Sequence, residues 1–271
     1  MIKSKTNILD KIKFLGIRIW DFGLRSLSRE YSWFFLFKII FQYPLKSLRG
    51  FRAYRKFCKT INQISPQQIY SNISTNELIN EVQNDRSSLL VAMGYCQRPL
   101  RTEDQPLNCP SDRFSHDCYF VENYQRISQI PPPCTICEIK QIAELTLKAG
   151  VSFHIMTSAM DIARDIFIPV LEEQRFRYTI MFICPYSILP ITIPLFICAT
   201  KFIIIPYTIG DCRNYGDFVR ADVGIKPKRT FPFNQNHELV LDLLKRIVQN
   251  NNQATDKFST IRKRNIYFST R

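Results

Sequence analysis

The sequence predicts an α/β fold: a Rossmann-like, mostly parallel sheet with flanking helices, preceded by a basic, aromatic-rich helical N-terminal segment. Three observations carry this. Several short runs are apolar at every position, the pattern of strands buried on both faces. Amphipathic helical stretches alternate with those runs, and such alternation gives right-handed βαβ crossovers between parallel neighbours. Charge is concentrated at the front: residues 1–60 hold 14 Lys and Arg against Asp10, Asp21 and Glu30, which accounts for 11 of the 14 surplus positive charges of the 271-residue chain.

The first unit, residues 1–62, contains a dense apolar block of Trp33, Phe34, Phe35, Leu36, Phe37, Ile39, Ile40, Phe41 and Tyr43, broken by Lys38 and stopped by Pro44. It is shorter than the ~18 apolar residues wanted for a spanning helix, and it carries a charge. The opening residues also lack a clean apolar core followed by a small-residue cleavage site, so export is not expected. Aromatics next to Lys46, Arg49, Arg52, Arg55, Lys56 and Lys59 suit a helix lying on an anionic membrane surface, with rings at the headgroups and cations facing lipid. The alternatives are a core helix packed on the sheet, or a nucleic-acid surface that tracks phosphates and stacks bases. Nucleic acid is the weaker partner, because no recognised binding motif accompanies the charge.

A polar connection, 63–87, leads into the body, and Ser74 or Thr75 is placed to cap a short helix there. The cysteine-rich α/β domain spans 88–250. Its first strand is Ser88–Tyr95, ending at Cys96. A long loop, 97–133, follows, closed by Pro131, Pro132 and Pro133; connections of that length inside a domain are usually functional or disordered. Cys134–Gly150 has a broad apolar face and a terminal Gly, the pattern of a helix and its stop. Val151–Met156 reads as a strand, about 159–173 as an amphipathic helix, and Arg177–Ile183 as a strand ending at Cys184. Residues 185–198 are proline-punctuated and ambiguous. Lys201–Thr208 is a further strand, followed by Gly210 and Cys212, and about 238–249 forms the last helix before a basic polar tail, 251–271.

Five of the nine cysteines fall where such a sheet would gather them. Cys96, Cys184 and Cys212 end or follow strands, and the Cys-x-x-Cys of Cys134 and Cys137 opens a helix at the same edge. In open parallel sheets, ligands bind outside the carboxyl ends of the strands, so these five are the candidate metal site. A helix N-terminus should also lower thiol pKa there. Thiolates bind tetrahedral zinc or an iron–sulfur cluster. One close pair joined to dispersed single cysteines favours the cluster, since structural zinc sites usually come as two knuckles. Four ligands leave a fifth thiol over as a nucleophile or resolving group. Cys109, His116 and Cys118 form a candidate second site or a lid over the first. Thr157 and Ser158, at a strand end, are candidates to bind a cofactor or anion. Cys58 and Cys198 lie in segments with no neighbouring ligand, and His154 reads as a core histidine. The chain has no Gly-rich phosphate loop, no G-x-S-x-G and no H-E-x-x-H.

The order of these elements carries a resemblance. A strand ending in Cys96, the C-x-x-C of Cys134 and Cys137 opening a helix, a strand with Thr157, a strand ending in Cys184, then Gly210-x-Cys212 resembles the uncharacterised family called domain of unknown function 116, over roughly residues 88–225. The resemblance implies a cysteine-rich α/β domain, cytoplasmic or membrane-associated, with no established activity.

The expected function is therefore an iron–sulfur protein acting in electron transfer or cluster-dependent chemistry, with an unknown small molecule or redox partner. Its expected place is the cytoplasm, peripheral on the inner membrane face, where cysteines stay reduced. A zinc-stabilised, non-catalytic binding module is the first alternative and a nucleic-acid-binding protein the second.

Overall fold

The computed structural model describes residues 29–61, 63–100, 108–226, 228–249 and 258–270. The expectations for residues 1–28, for part of the long loop and for the start of the tail lie outside them. Eight strands are described: β1 (Tyr70–Ser71), β2 (Leu89–Gly94), β3 (Ser152–Met156), β4 (Tyr178–Ile183), β5 (Lys201–Ile209), β6 (Phe231–Pro232), β7 (Ser259–Lys263) and β8 (Ile266–Thr270). The predicted apolar runs become the four central strands, in the order β5-β4-β2-β3 and all parallel. The protein is thus mixed α/β with a mostly parallel sheet and flanking helices.

Strand alternation sorts the core into two layers. Leu89, Val91 and Met93 of β2 face one layer, and Leu90 and Ala92 face the other; Ile203 and Ile205 of β5 oppose Phe202 and Ile204 in the same way. The first layer is closed by the helices Thr75–Asn84, Glu138–Lys148 and Asn234–Gln249. Ser74 caps the first of these, its Oγ accepting the Glu77 amide at 3.2 Å. The second layer is closed by the helical stretch from Ala159 to Glu173, by Ile188–Ile197 and by the N-terminal helices. Each fully buried Ile or Phe contributes about 1.5–3 kcal/mol of transfer free energy, so these two sandwiched layers hold the sheet edge rigid where the candidate residues sit.

The proline-punctuated stretch resolves as a helix, Ile188–Ile197, buried almost throughout. It has no polar face because it is packed on both sides, and that removes the periodic signal. On its outer side lies the helix Pro44–Thr60. The two approach so closely that a Cβ at Gly50 would stand 2.6 Å from the Ile197 Cα. Tyr31, Phe35, Ile39 and Tyr54 are buried with the same layer, so the described part of the N-terminal segment packs on its own domain. Its other side leaves Trp33, Phe37, Phe41, Leu45 and Leu48 exposed. Among the described residues no helix is long and apolar enough to cross a membrane.

The tail holds more structure than its composition indicates. β7 and β8 form a hairpin, turned at Arg264 with φ +54°, and β8 adds antiparallel to β3. Ile266 and Tyr267 are buried, while Arg262, Lys263 and Arg264 are exposed; three consecutive charges hid the alternation.

Candidate functional site

The carboxyl ends of β2, β4 and β5 meet as expected, and three of the five predicted cysteines meet there. Cys96 lies in the turn directly after β2, and Cys184 directly follows β4. Gly210 ends β5 with φ +65°, and a Cβ there would lie 2.2 Å from the Arg229 carbonyl oxygen, so only glycine fits. The chain turns back, and the Cys212 amide donates to the Cys184 Sγ at 3.2 Å. With Met156, Phe182, Ile183, Ile191 and Phe218, the three cysteines line one apolar pocket.

A lysine completes this group. Lys226 is buried, at 8 % exposure, and its ammonium stands 3.2 Å from the Cys212 Sγ and 3.8 Å from the Cys184 Sγ. A buried ammonium is costly unless it is paired, and the thiols supply the pairing charge. The Cys184 thiol donates to the Cys212 sulfur, which, against the cost of burial and with Lys226 beside it, brings Cys212 down to about 6. The same hydrogen bond, together with burial, pushes Cys184 far up. Burial also raises Cys96, with Lys226 opposing. The arrangement favours one thiolate over the pair, hydrogen-bonded by the other thiol and flanked by a fixed cation. Lys226 thus supplies the positive charge beside both sulfurs.

Asp222 lines the same pocket. Its Oδ1 is buried without a hydrogen-bond partner, and burial raises its pKa above the ordinary carboxyl value.

Cys134 and Cys137 belong to a different group. They sit in the turn Pro132–Thr135 and at the N-cap of Glu138–Lys148, and the charge of Cys109 acts on both and on Cys118. The long loop therefore brings Cys109 and Cys118 to the C-x-x-C. Burial, then repulsion from Cys137 and Cys109, raises Cys134 to about 11. Burial dominates at Cys118, which rises to about 12. Cys137 also rises, because burial outweighs the Lys140 and Ile139 amides that favour its thiolate. The lowering expected from the helix N-terminus is thus overridden by desolvation. Among the described residues, no group of three or more His, Cys, Asp or Glu stands in metal-holding geometry. The donor chemistry nonetheless suits a tetrathiolate centre: Cys109 acts electrostatically on Cys118, Cys134 and Cys137, while Arg98, Lys140 and Arg229 lie near enough to favour their thiolates.

The two groups are joined by Arg229. It donates to the Gln97 carbonyl at 3.0 Å, next to Cys96, and to the Ile136 carbonyl at 2.9 Å, between Cys134 and Cys137. Buried Arg98 fixes the loop by donating to the carbonyls of Asp112 and Asp117.

His116 leaves its predicted thiol partners. Its Nδ1 donates to the Ile155 carbonyl at 2.6 Å, and its Nε2 stands 3.2 Å from the Thr157 Oγ1 and 3.4 Å from Asp161. Thr157 and Ser158 do reach the pocket rim, yet both hydroxyls donate to Asp161. Burial opposes a charged imidazole here, but Asp161 and the Ile155 carbonyl outweigh it and raise the His116 pKa. Burial is likewise outweighed at Asp161, which His116, Thr157 and Ser158 hold well below the carboxylate range. His154 is a core residue, stacked on His116 and bonded through Nδ1 to the Asn265 carbonyl at 2.9 Å. Cys198 is half-buried behind Ile188–Ile197, its Sγ 3.7 Å from the Phe167 carbonyl.

Lys226 and Asp222 were not singled out from the sequence, because neither sits in a motif. Asp161, four residues after Thr157 and at the third position after a Ser N-cap, did carry a capping signal. No family model, no curated protein and no solved structure matches this chain.

Proposed function

We propose that this is a Rossmann-like metal-binding protein in which Cys109, Cys118, Cys134 and Cys137 hold an iron–sulfur cluster, working in electron transfer or cluster-dependent chemistry at a membrane surface. The proposal moves the metal from the five cysteines expected at the strand ends to the four gathered by the loop. One observation carries it: the Lys226 ammonium is hydrogen-bonded directly to two pocket sulfurs, whereas the loop thiols feel Arg98, Lys140 and Arg229 only through space and repel one another when ionised. A metal centre is what relieves such crowding. When bound, a cluster supplies a one-electron carrier, and zinc instead would pin the loop as a binding surface.

The Rossmann-like part of the reading is supported by strand order. β3 and β4 lie on opposite sides of β2, so the order reverses there, and the pocket opens at the ends of β2 and β4, where such folds bind ligands. The resemblance to the domain of unknown function 116 family belongs to the same proposal.

The membrane part is supported by the two-sided N-terminal helices. Their inner side is buried on the domain, while Trp33 stacks on Phe37 at 5.5 Å and Phe37 meets Phe41 at 5.6 Å on the exposed side. Lys38, Lys46, Arg49 and Arg52 are exposed in the same segment, which suits anionic headgroups and a cytoplasmic, peripheral position.

The test is anaerobic purification with iron, acid-labile sulfide and zinc measured in the native protein and in Cys134→Ser, Cys137→Ser and Cys184→Ser. Iron and sulfide should be lost in the first two variants and kept in the third. Metal retained in both C-x-x-C variants overturns the assignment, and zinc without iron selects the binding module. Trp33→Ala with Phe37→Ala should weaken binding to phosphatidylserine vesicles; unchanged vesicle binding removes the membrane part.

A further inference from the structure

We propose that Cys212 and Cys184 form a redox-active dithiol–disulfide couple that exchanges with low-molecular-weight disulfides entering the apolar pocket at the carboxyl edge of the sheet. This goes beyond the metal centre and does not depend on it. The two sulfurs are hydrogen-bond partners, and the backbone amide of one residue reaches the sulfur of the other. Lys226 stands against both. They open into a pocket walled by Met156, Phe182, Ile191 and Phe218. A nucleophile meant for acyl transfer needs a neighbouring base and oxyanion donors; here the hydrogen-bond partners of the reactive sulfur are a lysine ammonium and a second thiol.

The Cys212 thiolate attacks one sulfur of a disulfide RSSR, an S–S bond to Cys212 forms, and RS⁻ leaves. Cys184 then attacks the Cys212 sulfur, the Cys184–Cys212 disulfide forms, and the second RS leaves with the Cys184 proton as RSH. Two electrons pass from the cysteine pair to the external disulfide, which is the oxidant and ends as two thiols. Lys226 steadies the attacking thiolate, and Asp222, whose carboxyl is bonded by the Ala159 amide but whose buried Oδ1 has no hydrogen-bond partner, is the pocket group able to share a proton with the departing sulfur.

The experiment uses the reduced full-length protein and glutathione disulfide as the probe, with thiol release followed in time and products mapped by peptide mass spectrometry. Native protein should release two glutathiones per chain and yield a Cys184–Cys212 peptide. Cys184→Ser should stop after one release and accumulate glutathione on Cys212, and Cys212→Ser should do neither. Lys226→Met should slow the first step about tenfold at pH 6 and move the midpoint of its pH profile up by two units or more, and Lys226→Arg should restore most of it. Circular dichroism and metal content, unchanged in all four variants, separate this result from misfolding and from the metal proposal. No Cys184–Cys212 peptide from the native protein, or no mixed disulfide on Cys212 in Cys184→Ser, overturns it.

Discussion

Two groups of thiols lie on either side of Arg229, and they differ in charge balance more than in composition. In the pocket, Cys96, Cys184 and Cys212 share a buried ammonium, and one sulfur is held as thiolate. In the loop, Cys118, Cys134 and Cys137 are buried and feel the charge of half-buried Cys109, and these three thiols stay protonated. The difference teaches that spacing shows where cysteines fall along the chain, while the neighbouring cation decides what they do. A lysine bonded directly to the sulfurs suits a nucleophile, and cations held at a distance, such as Lys140 beside Cys134, leave room for a metal.

The sharpest way to break this contrast is alkylation of the metal-free protein at pH 7. A thiol near pKa 6 is mostly ionised and one near 11 about 10⁴-fold less so; the lower intrinsic nucleophilicity of the low-pKa thiolate returns about 10² of that. Cys212 should therefore react roughly a hundredfold faster than Cys134, read by isotope-coded iodoacetamide. Equal rates would erase the distinction between the groups.

Removing Arg98 should affect one group alone. Arg98→Met leaves the Asp112 and Asp117 carbonyls without their donor, at about 1–3 kcal/mol each, and releases the loop that carries Cys109 and Cys118. The expected outcome is a lower urea midpoint and weakened metal retention, with Cys212 alkylation unchanged. A fall in Cys212 reactivity would show that the two groups are one unit.

A smaller effect is expected at the strand ends. The Tyr207 hydroxyl accepts the Gly94 amide at 2.9 Å and donates to Gln97 at 2.8 Å, tying β5 to the turn that holds Cys96. Tyr207→Phe should cost about 1–2 kcal/mol in urea unfolding, with no cavity to add to it. A change below a few tenths would mean that the turn is held by packing alone.

How much of this was legible differs between fold and site. Runs such as Leu89–Gly94 and Tyr178–Ile183 declared themselves because a parallel strand is apolar on both faces, and Ser74 announced a helix start through its capping chemistry. Ile188–Ile197 did not, since Pro190, Pro194 and burial on all sides erase helical periodicity. The β7–β8 hairpin was masked by the consecutive charges Arg262, Lys263 and Arg264 at its turn. At the site, strand ends brought Cys96, Cys184 and Cys212 together as topology predicts. Which loop residues would join Cys134 and Cys137 depends on a path through Arg98 and Arg229 that no local pattern encodes. Lys226 was hidden for the same reason: its partners are 14 and 42 residues away.

The smallest effect tests His116, the loop residue that parts company with its cysteines. Its raised pKa means that the ion pair with Asp161 contributes fully below the ordinary imidazole value of ~6.5 and is lost as pH rises through the folded value. Asp161, depressed, keeps its share above ~4, so both partners are charged between these limits. Cys212 works in the opposite direction: its depressed value makes its contribution complete only above ~8.5 and removes it as pH falls through about 6. The two slopes oppose each other near neutrality, and raw stability against pH would show little. The informative quantity is the difference between the native protein and His116→Asn, which should shrink by about 1 kcal/mol between pH 6 and 9. A difference independent of pH would mean that His116 holds the loop through the Ile155 carbonyl alone, and would detach Asp161 from the rim of the pocket.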